Sequence, residues 1–184
     1  MTLLIIAIVA IVIVGLILYS ISIFNRLFSL KNSAEATLGQ IGVALKKRLD
    51  LITQLVESVR AYVKFERETL ERIAKLRSEM FQPRIQDLQG VERESRAVLN
   101  AVLAVAESYP DLKASTTVLN LMEAIKSVED EIARQRYTYN NVVQEFNIMQ
   151  DTFPSRFVAS AMTLRKLEYL QFEEGLEKRP SVQL

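Results

Sequence analysis

Of the side chains that most often do chemistry, two are missing from this chain, because its 184 residues include no histidine and no cysteine, and they include no tryptophan either. A histidine general base, a cysteine nucleophile and the usual Cys/His zinc sites are therefore excluded. The five glycines are scattered and form no phosphate-binding loop, and a net charge of +1 with interspersed signs gives no nucleic-acid footprint. We expect no catalytic residue, no enzymatic activity, no cofactor and no nucleic-acid partner.

Five glutamates raise the question of a carboxylate metal site. They are Glu66, Glu68, Glu71, Glu129 and Glu131. Dimetal sites in helical bundles combine Glu with Glu-x-x-His motifs, and this chain has no His. Solvated helix faces are the favoured interpretation, so we predict no metal site.

Three polar residues occupy positions where a helix would bury its side chains. Arg48 takes an apolar slot of the first helix, where its side chain either reaches the surface or pairs with a local carboxylate. The alternative is a specificity role at a helix–helix or subunit contact. Asn140 and Asn147, on the third helix, are interpreted as hydrogen-bonding partners within the bundle rather than as ligand contacts.

The element that precedes these positions is an uncharged apolar run over residues 3–24. As a helix it is roughly 33 Å long, and the hydrocarbon core of a bilayer is about 30 Å thick. A cleaved signal peptide needs basic residues before a shorter apolar core and a small-residue cleavage site after it, and the chain shows neither. We therefore predict a retained transmembrane anchor over residues 1–24.

The charges that flank this run predict its orientation. Arg26 and Lys31 follow the run closely, and Lys46, Lys47 and Arg48 lie further along. The positive-inside rule then places the N-terminus outside and residues 25–184 in the cytoplasm. The expected location is the cell membrane, with a single pass.

After the anchor, apolar residues recur at helical spacing and prolines mark the breaks. The predicted helices cover residues 25–80, 85–108, 116–152, with Ser115 or Thr116 as the cap, and 155–176, with Ser155 as the cap. The predicted fold is all-α: an N-terminal transmembrane helix followed by an antiparallel helical bundle of three long helices and a shorter C-terminal one. The bundle covers residues 25–179, and residues 180–184 form a flexible tail.

A length argument singles out residues 25–49, which we name the membrane-proximal stalk. A straight first helix from residue 25 to residue 80 is roughly 80 Å long. The second helix is shorter, so the other helices would pack only against the half of the first helix that is distant from the membrane. The stalk then lacks a partner in the chain, although Leu38, Ile41 and Leu45 form an apolar stripe on it. We predict that these three residues form the contact of a homo-oligomer. Gly39 and Gly42 mark either a close helix contact of that kind or a bend.

A series of short motifs runs along the chain in a fixed order. They are Phe24-Asn25, Lys31-Asn32, Lys47-Arg48-Leu49-Asp50-Leu51-Ile52 with Leu55-Val56, Tyr109-Pro110-Asp111-Leu112-Lys113-Ala114, Arg136-Tyr137 with Asn140, Phe146-Asn147, and Phe153-Pro154-Ser155. Together they resemble the LemA family of bacterial membrane proteins over nearly the whole chain. The resemblance implies a helical bundle on a single span with no established enzymatic activity or cofactor. It also adds Asp50 and Arg136 to the candidate structural polar positions.

Three departures from the family pattern affect the first helix. Thr53-Gln54 stands where relatives usually have Pro-Asn, which predicts a more continuous helix here. Gly42 stands where they often have Asp, and the Trp that many carry near Leu38 is missing.

These features predict a membrane-anchored, self-associating scaffold or adaptor that presents its bundle to an unidentified cytoplasmic protein partner. The alternative is a membrane signalling or stress-response component that transmits changes in helix packing. A hydrolase or metalloenzyme is disfavoured because the chain has no His or Cys.

Overall fold

The computed structural model describes residues 1–60, 67–79 and 85–171, and all regular elements in these ranges are helices. They are α1 (Thr2–Arg60), α2 (Arg67–Glu79), α3 (Ile85–Glu107), α4 (Pro110–Lys113), α5 (Thr116–Asp151) and α6 (Ser155–Ala161). The predicted all-α class, a long apolar helix followed by a helical bundle, is therefore confirmed. The chain divides into two compact units, which we describe separately.

The N-terminal part of α1 is apolar and uncovered. Its most apolar stretch of 18 residues has a mean hydropathy of 3.1, and none of that stretch is buried. Ser20 donates its hydroxyl proton to the Leu16 carbonyl at 2.8 Å, which satisfies this polar group inside the helix. Within the described ranges α1 is the one helix long and apolar enough to cross a membrane. The exposure favours a lipid-facing helix, because the core helix of a soluble protein is mostly buried.

The first unit combines Met1–Thr37 with Tyr137–Tyr169, so it holds the start of α1, the end of α5, and α6. Its core joins Ile23, Leu27 and Leu30 of α1 to Phe146 of α5 and Ala159 of α6. The α1 residues are spaced by threes and fours, so they share one face of the helix.

The second unit contains Leu38–Arg136 and the chain from Leu170 onward. Its main core draws apolar side chains from α1, α2, α3, α4 and α5. The buried members are Ile52, Leu55, Val56, Val59, Ile73, Val98, Leu99, Val102, Leu112, Val118 and Ile125. A smaller cluster joins Leu49, Leu76 and Val91.

The first predicted helix is wrong in its course, because it does not run straight to residue 80. Helix α1 is described as far as Arg60, and Leu76 of α2 belongs to the same buried cluster as Leu49 of α1. In a straight helix these two residues would lie about 40 Å apart, so α2 folds back along α1. The residues between Arg60 and Arg67, like the predicted helix end at residue 80, lie outside the described ranges.

The predicted third helix agrees closely with α5, whereas the fourth is wrong in extent. Helix α6 ends at Ala161, and Thr163 adopts a positive φ of 51°, which is incompatible with helix continuation. Ser155 is the first residue of α6 and does not cap it; its hydroxyl instead donates to the Thr152 carbonyl at 3.0 Å. Residues 164–171 are irregular, and residues 172–184, including the predicted tail, lie outside the described ranges.

The predicted stalk is not an uncovered segment. Ile41 and Leu45 are completely buried within the single chain, Leu38 is half-buried, and Leu27 and Leu30 belong to the core of the first unit. The length argument failed because α2 folds back along α1 instead of continuing it. In addition, α5 lies beside this part of α1, as the contact between Lys47 Nζ and Glu131 Oε2 at 3.8 Å shows.

Candidate functional site

Arg48 lies at the centre of a buried charge cluster in the second unit. Its side chain is 0% exposed, and Nη1 lies 2.7 Å from Oε1 of Glu129 on α5 and 3.7 Å from Oε1 of Glu92 on α3. Nη2 donates to the Glu92 carbonyl at 2.8 Å and to the Ser95 hydroxyl. One guanidinium thus joins α1, α3 and α5.

A second arginine balances the two carboxylates of the cluster. Nε and Nη2 of Arg96 lie 2.8 and 2.6 Å from Oε1 of Glu92, and Nη2 lies 3.5 Å from Oε2 of Glu129. Two arginines and two glutamates therefore compensate one another's charge, as burial of charge requires. The arrangement suits a fixed helix–helix junction.

The structure distinguishes between the interpretations of Arg48. Complete burial rules out a side chain that reaches the surface, and its carboxylate partners lie on two other helices rather than on its own. Glu129 was assigned to a solvated face, and this was wrong: it is half-buried and paired with Arg48.

Sequence reasoning missed Glu92 and Ser95, although α3 carries a signal for them. Leu88, Glu92, Ser95, Leu99 and Val102 are all buried and follow one another by fours and threes. Two polar residues thus interrupt an apolar stripe, as Arg48 does on α1. Matching polar interruptions on two amphipathic helices predict that they meet.

An apolar surface groove lies beside this cluster, between α3 and α5. It has a volume of about 230 Å³ and is lined by Leu99, Leu103, Met122 and Ile125, with Lys126 and Glu129 at its edge. Met122 is exposed and Leu103 half-buried, so the groove is accessible from outside the unit. Its apolar floor and charged edge suit an amphipathic segment of another protein.

Asn147 fixes the irregular segment of the first unit against α5. Its amide nitrogen donates to the Leu167 carbonyl at 3.0 Å, and its amide oxygen accepts from the Leu167 N–H at 2.9 Å. Gln150 and Tyr139 donate to the carbonyls of Arg165 and Glu168 at 3.3 and 3.0 Å. These bonds replace the helical ones that residues 165–168 would otherwise make.

Tyr139 of α5, which contacts this segment, has a raised pKa. Its hydroxyl is buried against the segment, and this burial raises the pKa above its ordinary value of 10.0. The negative charge of Glu168 raises the pKa further, so the hydroxyl stays protonated as a donor.

The remaining predicted polar positions, Asp50, Arg136 and Asn140, are all half-buried, and none of them is without a partner. In the described ranges no three acidic side chains converge to hold a metal ion, and Glu66 lies outside those ranges. Gly39 is exposed, and a Cβ at this position would meet nothing within 4 Å. The chain itself therefore makes no close helix contact at Gly39.

The chain is similar in sequence to known proteins of one family. Residues 37–184 match the model of the LemA family. Protein LemA of Metamycoplasma hominis is 30% identical over 152 residues, which are 82% of this chain and 69% of that protein. Magnetosome proteins MamQ 1 and MamQ 2 of Paramagnetospirillum magneticum are each 29% identical over 84 residues, 46% of this chain and 31% of their own length.

The family model covers the second unit and the end of the first, and the Metamycoplasma relative aligns with most of the chain. The exposed apolar part of α1 adds a membrane association to this helical architecture. The chain therefore belongs to the LemA family.

Proposed function

We propose that the protein is a membrane-anchored scaffold or adaptor, which holds its helical units at the bilayer and binds protein partners through the α3–α5 groove. The observation that carries the proposal is this accessible apolar groove, on a chain whose α1 begins as an exposed apolar helix. The role is non-catalytic, because the chain offers neither His nor Cys to activate a substrate.

The groove has the volume and chemistry to receive a few apolar side chains from one face of a partner helix. Apolar side chains at its floor supply the contact area, while Lys126 and Glu129 offer one charge of each sign at its edge. Met122 is well suited to such a surface because its unbranched side chain adapts to different partners.

The experiment is crosslinking in native membranes from a photoreactive group placed at Lys126, at the edge of the groove, followed by identification of the captured protein. Met122→Glu is expected to abolish the capture, since it places a charge on the groove floor. The matched control is Ser127→Glu, which puts the same charge on an exposed position on another face of α5. Equal capture by both variants would contradict the groove as the partner site.

The proposed topology puts residues 25–184 in the cytoplasm, with the basic residues Arg26, Lys31 and Lys46 as its support. We also propose that copies of the chain self-associate in the membrane. Since Ile41 and Leu45 are used inside the chain, the proposed contact is the exposed side of α1 that carries Gly39 and Val43.

A signalling role is the second candidate, and the continuity of α1 favours it. This helix runs without interruption from Thr2 to Arg60 and carries both the apolar run and Arg48. A change in the rotation of the apolar part would reach the charge cluster directly. Such a role predicts that a stimulus alters the Arg48–Glu129 pairing, whereas a scaffold keeps it constant.

A further inference from the structure

Helix α6 lies beside the apolar run of α1. Val158 of α6 lines a surface hollow together with α1 side chains, and the next residue, Ala159, packs into the core with Ile23 and Leu27. The α1 residues of the hollow are Ile13, Leu16, Ile17, Ser20, Ile21 and Phe24. Helix α6 therefore meets α1 within residues 3–24, the segment that is expected to lie in the bilayer.

The direction of α5 also places α6 beside the apolar run of α1. Arg26 forms an ion pair with Glu145, and the chain then continues through the rest of α5 to Val158, which is found among residues 13–24 of α1. The end of α5 thus runs antiparallel to α1. Asp151, its last residue, lies about 9 Å beyond Glu145 along the axis, at the level of about Ser20.

The corner between α5 and α6 exposes two phenylalanines. Phe153 is 82% exposed and Phe157 is 69% exposed, and their rings meet edge to face at a centroid distance of 5.8 Å. Arg156, between them, is also exposed. Exposed aromatic rings next to a basic side chain are typical of residues that sit at the headgroup level of an anionic membrane.

We propose that this corner, Phe153 with α6, is a second membrane contact, which inserts into the interfacial region of the lipid bilayer beside α1. The occupant of the aromatic surface is lipid because the surface continues the uncovered apolar surface of α1 at the same level. The contact rests on α1 being the membrane anchor of the proposed function. It gives the first unit two points of attachment, so that the unit cannot rotate freely about the span.

The absence of native tryptophan allows a direct test of depth. Phe157→Trp in the full chain would be placed in nanodiscs of phosphatidylcholine and phosphatidylglycerol, with bromine on the acyl chains either near the headgroup or near the chain end. We expect strong loss of emission with the shallow bromine and a smaller loss with the deep one. Phe153→Trp should give the same pattern.

Two reference variants separate this contact from the anchor itself. Tyr19→Trp, within the apolar run, should be quenched, and Tyr137→Trp, which is exposed on α5 on the far side of Glu145 from α6, should not be. If Tyr19→Trp is quenched while Phe157→Trp and Phe153→Trp match Tyr137→Trp, the second contact is overturned and the anchor stands. An unquenched Tyr19→Trp would overturn both.

Discussion

At the scale of single residues, Arg48 is the side chain on which the second unit depends most. It is completely buried, and it compensates the charges of Glu92 and Glu129 from two other helices. Replacing it by an apolar side chain leaves two carboxylates with Arg96 alone. Breaking a buried pair in this way typically costs about 3–5 kcal/mol, because the remaining charge is uncompensated.

We therefore predict that Arg48→Met lowers the free energy of unfolding by about 3–5 kcal/mol. The measurement is denaturant unfolding of the full chain in nanodiscs, followed by circular dichroism at the helical band. Arg26→Met is the control, because Arg26 and Glu145 form a half-exposed pair. Exposed pairs contribute only about 0–1 kcal/mol. Similar losses for the two variants would contradict the central role of the buried cluster.

Asn147 is the second residue with a specific structural role, which its side-chain amide performs. We predict that Asn147→Ala releases the segment after α6, because both hydrogen bonds to the Leu167 backbone disappear. Loss of a buried hydrogen-bond partner costs about 1–3 kcal/mol. Trypsin should then cleave faster at Arg165 and Lys166, both of which are exposed on this segment.

The control for Asn147 is an asparagine on the same helix with an exposed side chain. Asn141→Ala removes the same atoms from α5 at an exposed position. Its cleavage rate should equal that of the unaltered chain. Equal rates for the Asn147 and Asn141 variants would mean that the segment is held by other contacts, such as those of Gln150 and Tyr139.

At the scale of helices, the sequence predicted best where strong signals mark both ends. Helix α5 begins at Thr116 and ends at Asp151, as the cap at Ser115 or Thr116 and Pro154 indicated. The change of direction between α1 and α2 carries no such signal, because no proline or glycine lies between Arg60 and Arg67. The end of α6 depends on tertiary hydrogen bonds to Asn147, which no local pattern reveals.

The partners of Arg48 in the charge cluster were likewise not predictable from a local pattern. A polar residue in an apolar stripe identified Arg48, whereas the choice of Glu92 and Glu129 as its partners depends on the register between helices. The length argument assumed one straight first helix and so excluded α2 folding back along α1. That assumption led directly to the wrong prediction of an uncovered stalk.

We predict that charge is tolerated on one side of α1 and not on the other. Ile41→Glu should unfold the second unit, because the side chain is completely buried. Val43→Glu, two residues further on, should leave the helical signal unchanged, since Val43 is 71% exposed, and should lower the unfolding midpoint only by what the loss of self-association costs. Thermal unfolding of both variants in nanodiscs provides the measurement.

The same pair of variants tests self-association. If copies meet through the side of α1 that carries Gly39 and Val43, mass measurement should find an oligomer for the unaltered chain and a monomer for Val43→Glu. A folded Ile41→Glu variant that becomes monomeric would instead restore the stripe of Leu38, Ile41 and Leu45 as the contact. A monomeric unaltered chain at membrane-like concentration would remove self-association from the proposed function.

At the scale of the whole molecule, topology determines which compartment supplies the partners of the groove. The proposed orientation, with everything after the apolar run in the cytoplasm, rests on Arg26 and Lys31, which follow the run. The chain has no native cysteine, so a single introduced thiol reports one position without background. Val43→Cys is suitable because its position is exposed, and Thr2→Cys reports the other end of the run.

In right-side-out vesicles a membrane-impermeant maleimide should label Thr2→Cys alone, and in inside-out vesicles Val43→Cys alone. Detergent should make both thiols reactive, which controls for thiols that are merely inaccessible. Labelling of Val43→Cys in right-side-out vesicles would reverse the orientation and move the search for partners to the outer side of the membrane, while labelling of both thiols from one side would show that α1 does not cross the bilayer.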